Sequence, residues 1–224
     1  MRDISENTVS SKNQLPRSSS IYYIGNENAK LRLLIVGNSI TRHAPSAGLG
    51  WFGDWGMAAS ALELDYVHRL TAMLEEAGFD VLTKVHQLAT WERGHTEPNA
   101  LEALAEDNEF NAHAVLFRLG ENIKNYEDLD EHLEQFIKTI CPSGKTVFTT
   151  TAWDSAAINV PIRALAKKRG EVCVELTDIG KREELMAIGK FEHKGVAMHP
   201  SDAGMQFIAD KTFPHVKEIL ESVK

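Results

Sequence analysis

Cysteine is nearly missing from this chain: Cys141 and Cys173 are the only two in 224 residues, which excludes a disulfide framework. None is needed, since a chain of this length can bury roughly 70% of the surface its unfolded form exposes. Cys173 lies in the apolar run Val172-Cys173-Val174 and reads as a buried thiol, so a reducing, cytoplasmic setting is expected. Long hydrophobic runs are also missing. No stretch approaches the ~18 apolar residues of a membrane span, and the first 20 residues, six of them serine, lack the apolar core of a secretory signal. Residues 1–29 read as a poorly ordered arm, and residues 30–224 as one domain. Basic blocks are lacking: 24 Lys and Arg face 32 Asp and Glu, a net charge of −8, which argues against a nucleic-acid partner. With 43% hydrophobic and 25% charged residues, collagen, coiled coil and bulk disorder are excluded.

Several chemistry-bearing motifs are incomplete. Gly144-Lys145-Thr146 ends like a phosphate-binding loop, but Thr139 stands where its first glycine belongs, and the segment opens a strand rather than a helix. A dinucleotide fingerprint would need glycines at 37, 39 and 42, and only Gly37 is there. Gly37-Asn38-Ser39 begins like a nucleophile elbow, yet Thr41 stands at its last glycine. His193 and His199 share no metal-ligand spacing with a nearby Cys or acid. No metal or cofactor is expected.

What is present is a repeated alternation. Short apolar runs at 31–36, 80–88, 113–119, 145–150 and 171–176 suit strands covered on both faces. Between them lie helical stripes: Tyr66, Leu70, Met73 and Ala77 before Gly78, and Leu129, Leu133, Phe136, Ile137 and Ile140. Asn159 reads as the cap of a helix ending at Gly170, with Pro161 in its first turn. A last helix carries Met205 to Leu220, with Asp202 as its cap. Five strand–helix units predict a three-layer α/β/α domain, flavodoxin-like, with a five-stranded parallel sheet in the order 2-1-3-4-5.

In such sheets the crevice lies at the carboxyl ends of the strands. Ser39 follows the first strand and Asn122 the third, while His199 precedes the last helix. A serine hydroxyl needs a base before it can attack, an imidazole supplies one, and a carboxamide NH₂ can donate to a developing oxyanion. These residues resemble the SGNH (GDSL-like) hydrolase superfamily. Ile35-Val36-Gly37-Asn38-Ser39-Ile40 matches its first block, with Asn38 in place of the usual aspartate; Gly120-Glu121-Asn122 matches the Gly-x-Asn block; His199-Pro200-Ser201 matches the last.

The resemblance implies a serine esterase acting on a small-molecule ester, with a short acyl group such as acetyl on a carbohydrate or similar small alcohol. Ser39 and His199 would be catalytic, with the oxyanion hole built from the Ser39 N–H, Asn122 and a strand-two amide, Thr90 or Trp91. Two further positions depart from the family. No glycine falls in Gln87–Glu92, where the family takes an oxyanion-hole N–H. Val196 replaces the aspartate three residues before the histidine, leaving a backbone carbonyl, Asp178 or Glu192 to orient the ring. Trp51 and Trp55, in the long loop after the nucleophile, and Glu92 are candidate pocket residues, although a hydrophobic cluster under that loop would explain the tryptophans equally well. The rival reading is an inactive ligand-binding domain on the same fold.

Overall fold

The computed structural model describes residues 20–224; residues 1–19 of the expected arm lie outside the described residues. Six strands form one sheet: β1 (Ile21–Gly25), β2 (Leu31–Gly37), β3 (Val81–Gln87), β4 (Ala114–Arg118), β5 (Lys145–Thr149) and β6 (Cys173–Val174). They lie in the order β1-β3-β2-β4-β5-β6. From β3 across to β6 every pairing is parallel. β1 adds an antiparallel edge, Tyr22 opposite Val85 and Gly25 opposite Leu82. The expected five-stranded, all-parallel sheet is therefore a six-stranded mixed one. The extra strand escapes a pattern reading because its pairing partner is not its neighbour in sequence but β3, some 60 residues along, whose outer edge is otherwise open.

Alternation along the strands divides the core between two faces. On one side Leu33, Ile35, Val85, Leu116 and Val147 pack with Leu70 and Leu74 of α1 (Tyr66–Glu76) and Met205, Ile208 and Val216 of α7 (Asp202–Ser222). On the other, Leu34, Val36, Val115, Phe117 and Phe148 meet Leu133, Phe136 and Ile137 of α4 (Leu129–Ile140) and Ile162 and Leu165 of α5 (Ala156–Arg169). Three shorter helices complete the set: α2 (Ala89–Gly94), α3 (Ala105–Phe110) and α6 (Lys194–Ala197). No helix among the described residues is long and apolar enough to cross a membrane.

Local details differ from the sequence expectations at helix starts. α5 begins three residues before Asn159, after Ser155, so Pro161 lies inside the helix. The buried Asn159 side chain instead accepts hydrogen bonds from the Thr151 N–H and hydroxyl. Ser201, not Asp202, is the N-cap of α7, its Oγ accepting from the Gly204 N–H. Asp202 accepts from the N–H and hydroxyl of Ser60, both at 2.7 Å, and so ties the long loop to the start of α7. Cys173 is half-buried, and Cys141 is the buried thiol.

Beneath α3 lies a charged cluster inside the apolar layer. Lys84 and Asp107 are fully buried and 2.9 Å apart, and the Asp107 carboxylate also bonds Nδ1 of His86 at 2.7 Å. Removing one member of such a pair leaves an uncompensated buried charge. Asp107→Ala is expected to lower stability by about 3–5 kcal/mol, read as a fall in the urea midpoint at unchanged slope. Adding Lys84→Met should recover part of that loss.

Candidate active site

Ser39 stands at the carboxyl end of β2, in a turn that Asn38 builds. The Asn38 carbonyl accepts from the N–H groups of Thr41 and Arg42, each at 3.0 Å, and its side-chain oxygen accepts from the Ile40 N–H at 3.1 Å. Gly37 is required there, because a Cβ would collide with the Thr41 hydroxyl. The turn leaves the Ser39 hydroxyl half-buried at the crevice.

His199 arrives from the far end of the chain. Its Nε2 lies 2.8 Å from Ser39 Oγ, and its Nδ1 lies 2.7 Å from the carbonyl oxygen of Gly195. A carbonyl only accepts, so Nδ1 carries the proton and donates it to Gly195, while Nε2 presents a lone pair to the serine hydroxyl. That assignment follows from the bonding pattern. The carbonyl of an i−4 residue thus does the orienting. Asp178 and Glu192 are exposed, and neither bonds the ring. Val196 explains why no carboxylate is needed to hold this turn: it is buried beside Trp51, Met57, Ala58 and Ala187, with Phe191 against them. Apolar packing anchors α6 and so places the Gly195 carbonyl.

The tryptophans belong to that packing. Trp51 is buried, edge-on to Trp55 at 5.7 Å and 6.1 Å from Phe191. The indole N–H groups donate to the His43 and Ala59 carbonyls. Trp51 is therefore a support beneath the loop rather than a pocket wall; Trp55 is half-buried against the same cluster. The aromatic ring beside the histidine is Trp153, after β5, edge-on to His199 at 6.2 Å. Its segment, Ala152-Trp153-Asp154, is one of those that the sequence places just past a strand, at the crevice, although no motif marks the tryptophan.

Burial holds the His199 imidazole below the ordinary histidine value; the Gly195 carbonyl and the Glu121 charge oppose that, and His43 and Arg118 add to it. His43 is itself lowered by burial, against its bond to the Ala44 carbonyl.

Below Ser39 lies a buried polar network that the sequence reading did not assemble. Glu92, placed by α2, is fully buried and is not a pocket residue. Its Oε1 accepts from Asn38 Nδ2 at 3.0 Å and from the Gly120 N–H at 2.5 Å; its Oε2 accepts from Asn122 Nδ2 at 2.5 Å. Glu121 receives the second Asn38 amide hydrogen at 2.7 Å and the Ala152 N–H at 2.9 Å. It also meets the buried Arg118 guanidinium in a two-pronged pair, both distances 2.7 Å. Burial and the neighbouring Glu121 charge push the Glu92 carboxyl up, while its N–H donors pull it back. Burial would raise Glu121 too, but Arg118 holds it below the usual carboxylate value. Gly120 adopts φ +141°, and a Cβ there would lie 2.7 Å from the Thr151 methyl, so only glycine fits the bend that aims residues 120–122 into this network.

The structure thus joins Ser39 and His199 directly, and links Asn122 to the serine turn through Glu92 and Asn38. Trp91 lies in the first turn of α2, its indole packed 4.3 Å from Phe136; first-turn N–H groups have no partner within their own helix. Among the described residues no His, Cys, Asp or Glu cluster could hold a metal ion.

The network explains why position 38 is an asparagine. Both Asn38 amide hydrogens point at carboxylates, so an aspartate would remove two donors and put a third carboxylate between two others. Asn38→Asp is expected to lower stability by about 3 kcal/mol or more at pH 8, measured by chemical denaturation.

No protein-family model and no curated protein matches the chain. Solved structures do. A psychrotrophic esterase from Pseudoalteromonas sp., in a form inhibited by monoethylphosphonate, superposes with a TM-score of 0.57 at 15% identity over 85% of this chain and 98% of that one. A lipase/acylhydrolase from Enterococcus faecalis gives 0.57 at 16% identity over 86% and 96%. A family two carbohydrate esterase from Cellvibrio japonicus gives 0.55 at 12% identity over 88% and 63%. The chain has the fold that these esterase and lipase structures share.

Proposed function

We propose that the chain is a serine esterase of the SGNH (GDSL-like) type, cleaving a short acyl group such as acetyl from a carbohydrate or similar small alcohol. The observation that carries this reading is the 2.8 Å bond from Ser39 Oγ to the unprotonated Nε2 of His199. Esterases of the same fold, a carbohydrate esterase among them, support the choice of ester and alcohol.

In this mechanism Ser39 Oγ attacks the ester carbonyl while His199 Nε2 takes its proton. The carbonyl oxygen becomes an oxyanion, held by the Ser39 N–H, the second amide hydrogen of Asn122 and a first-turn N–H of α2 from Thr90 or Trp91. Collapse breaks the bond to the alcohol, which leaves with the proton from Nε2. Water then attacks the acyl-serine, giving one proton to Nε2, which passes it to Ser39 Oγ as the bond to the acyl carbon breaks and the acid leaves. Throughout, the proton stays on Nδ1, donated to the Gly195 carbonyl. That neutral acceptor holds the tautomer as a carboxylate would, but offers the imidazolium less charge stabilisation. The same feature favours a slow enzyme over a fast one.

Ser39→Ala and His199→Ala are each expected to cut turnover of p-nitrophenyl acetate by about 10³-fold or more, and Ser39→Ala to abolish labelling by an ethylphosphonate probe. Equal rates in the three proteins would refute the assignment. The base works only when unprotonated, and its pKa is lowered. The acid limb of kcat/KM should therefore have its midpoint below the ~6.5 of an unperturbed histidine, measured from pH 4.5 to 8.

A further inference from the structure

Glu92 is fully buried and collects four N–H donors from two other strand ends. Asn38 Nδ2 comes from the end of β2; the Gly120 N–H, the Asn122 N–H at 3.4 Å and Asn122 Nδ2 come from the end of β4. Asn122 is thus gripped twice by one carboxylate, through its backbone and through its side chain. The grip has a chemical sign. A carboxamide can turn over about its last torsion and show either oxygen or NH₂, but an ionised carboxylate only accepts. Glu92 therefore selects the orientation in which the Asn122 NH₂ group, and not its carbonyl oxygen, occupies the contact. The NH₂ is planar, so fixing one hydrogen on Glu92 fixes the direction of the other.

Stability alone does not account for this arrangement. Two carboxylates share one amide nitrogen, Asn38 Nδ2, and only Glu121 is paired with a guanidinium, that of Arg118. Buried ionic groups are commonly matched or bettered by apolar residues of similar volume, and Leu88, Leu119 and Ile123, close to Glu92, Gly120 and Asn122 in sequence, belong to an apolar core. A charged residue here does something that packing would not.

We propose that Glu92 is a positioning residue that acts through Asn122, orienting its amide so that an N–H meets the negative oxygen formed when Ser39 attacks. The proposal rests on the serine-esterase reading above. Asn38 completes the device: by donating to both Glu92 and Glu121 it keeps the two carboxylates apart and locks Glu92 to the turn that carries the nucleophile.

The test combines kinetics with a signature that does not depend on turnover. Glu92→Gln keeps the shape but puts a donor or a neutral oxygen against Asn122. With p-nitrophenyl acetate it should lose about 10²-fold in kcat, the usual effect of removing one oxyanion donor, with KM within about twofold. Asn122→Ala should lose a similar factor, and the double variant should be no slower than Asn122→Ala alone. In ¹H–¹⁵N spectra of the wild type, the Asn122 side-chain pair, assigned by its loss in Asn122→Ala, should show two widely separated protons, one on Glu92 and one not. That separation should collapse in Glu92→Gln. Wild-type kcat in Glu92→Gln, losses that multiply in the double variant, or a wild-type amide pair with the narrow separation of a solvent-exposed asparagine would each overturn the proposal. The last needs no Glu92 variant to fold. Ser39→Ala is the control: hydrolysis by it at the wild-type rate brings down the esterase reading, and the positioning role with it. Once that control is passed, a failure belongs to Glu92 alone.

Discussion

The site depends on a buried pair of carboxylates bridged by one amide nitrogen. Asn38 Nδ2 donates to Glu92 and to Glu121, and those acids in turn collect N–H groups from Gly120, Asn122 and Ala152. The ends of β2, β4 and β5, and the helix that follows β3, are thereby fixed relative to one another by polar contacts in a region of low dielectric, where such bonds are strong if complete and costly if not. Arg118 supplies the counter-charge from within β4 itself. Parallel strands carry the chain ends to the same edge of the sheet, but register alone does not aim their loops; this network does.

The histidine is handled by the opposite means. Its orienting acceptor is a backbone oxygen, and that oxygen is placed by apolar packing of Val196 against Trp51 and its neighbours. The aromatic loop and the 187–196 segment clasp each other over this cluster, while the Asp202–Ser60 contact fastens the same loop to the start of α7. Val196 and the tryptophans at 51 and 55 thus serve one packed cluster. A hydrophobic anchor sets the geometry that a carboxylate sets by charge. The consequence is an imidazole whose basicity is governed first by burial.

Much of the fold was legible in residue order. Apolar runs identified β2 through β5, the stripe at 129–140 matched α4 residue for residue, and the helix ending before Gly78 was α1. The misses share a cause. β1, the start of α5 and the cap of α7 each depend on which partner is near in space: the β3 edge for Ile21–Gly25, Thr151 for Asn159, Ser60 for Asp202. Propensity and periodicity describe neighbours along the chain, and these contacts join residues up to 142 positions apart.

The same division runs through the site. Amino-acid order alone determined where the strand ends fall, and so placed Ser39 and Asn122 at one edge, because residues following neighbouring parallel strands share the carboxyl side of the sheet; the fold then brings His199, at the start of the last helix, to Ser39. It determined equally that no aspartate stands at 196. Only the tertiary structure decided which atom orients the imidazole, that Glu92 lies beneath the site instead of lining it, and that Trp51 is a support. Those roles are set by burial and by the direction of single hydrogen bonds, which appear only once distant segments have closed on one another and shut out water.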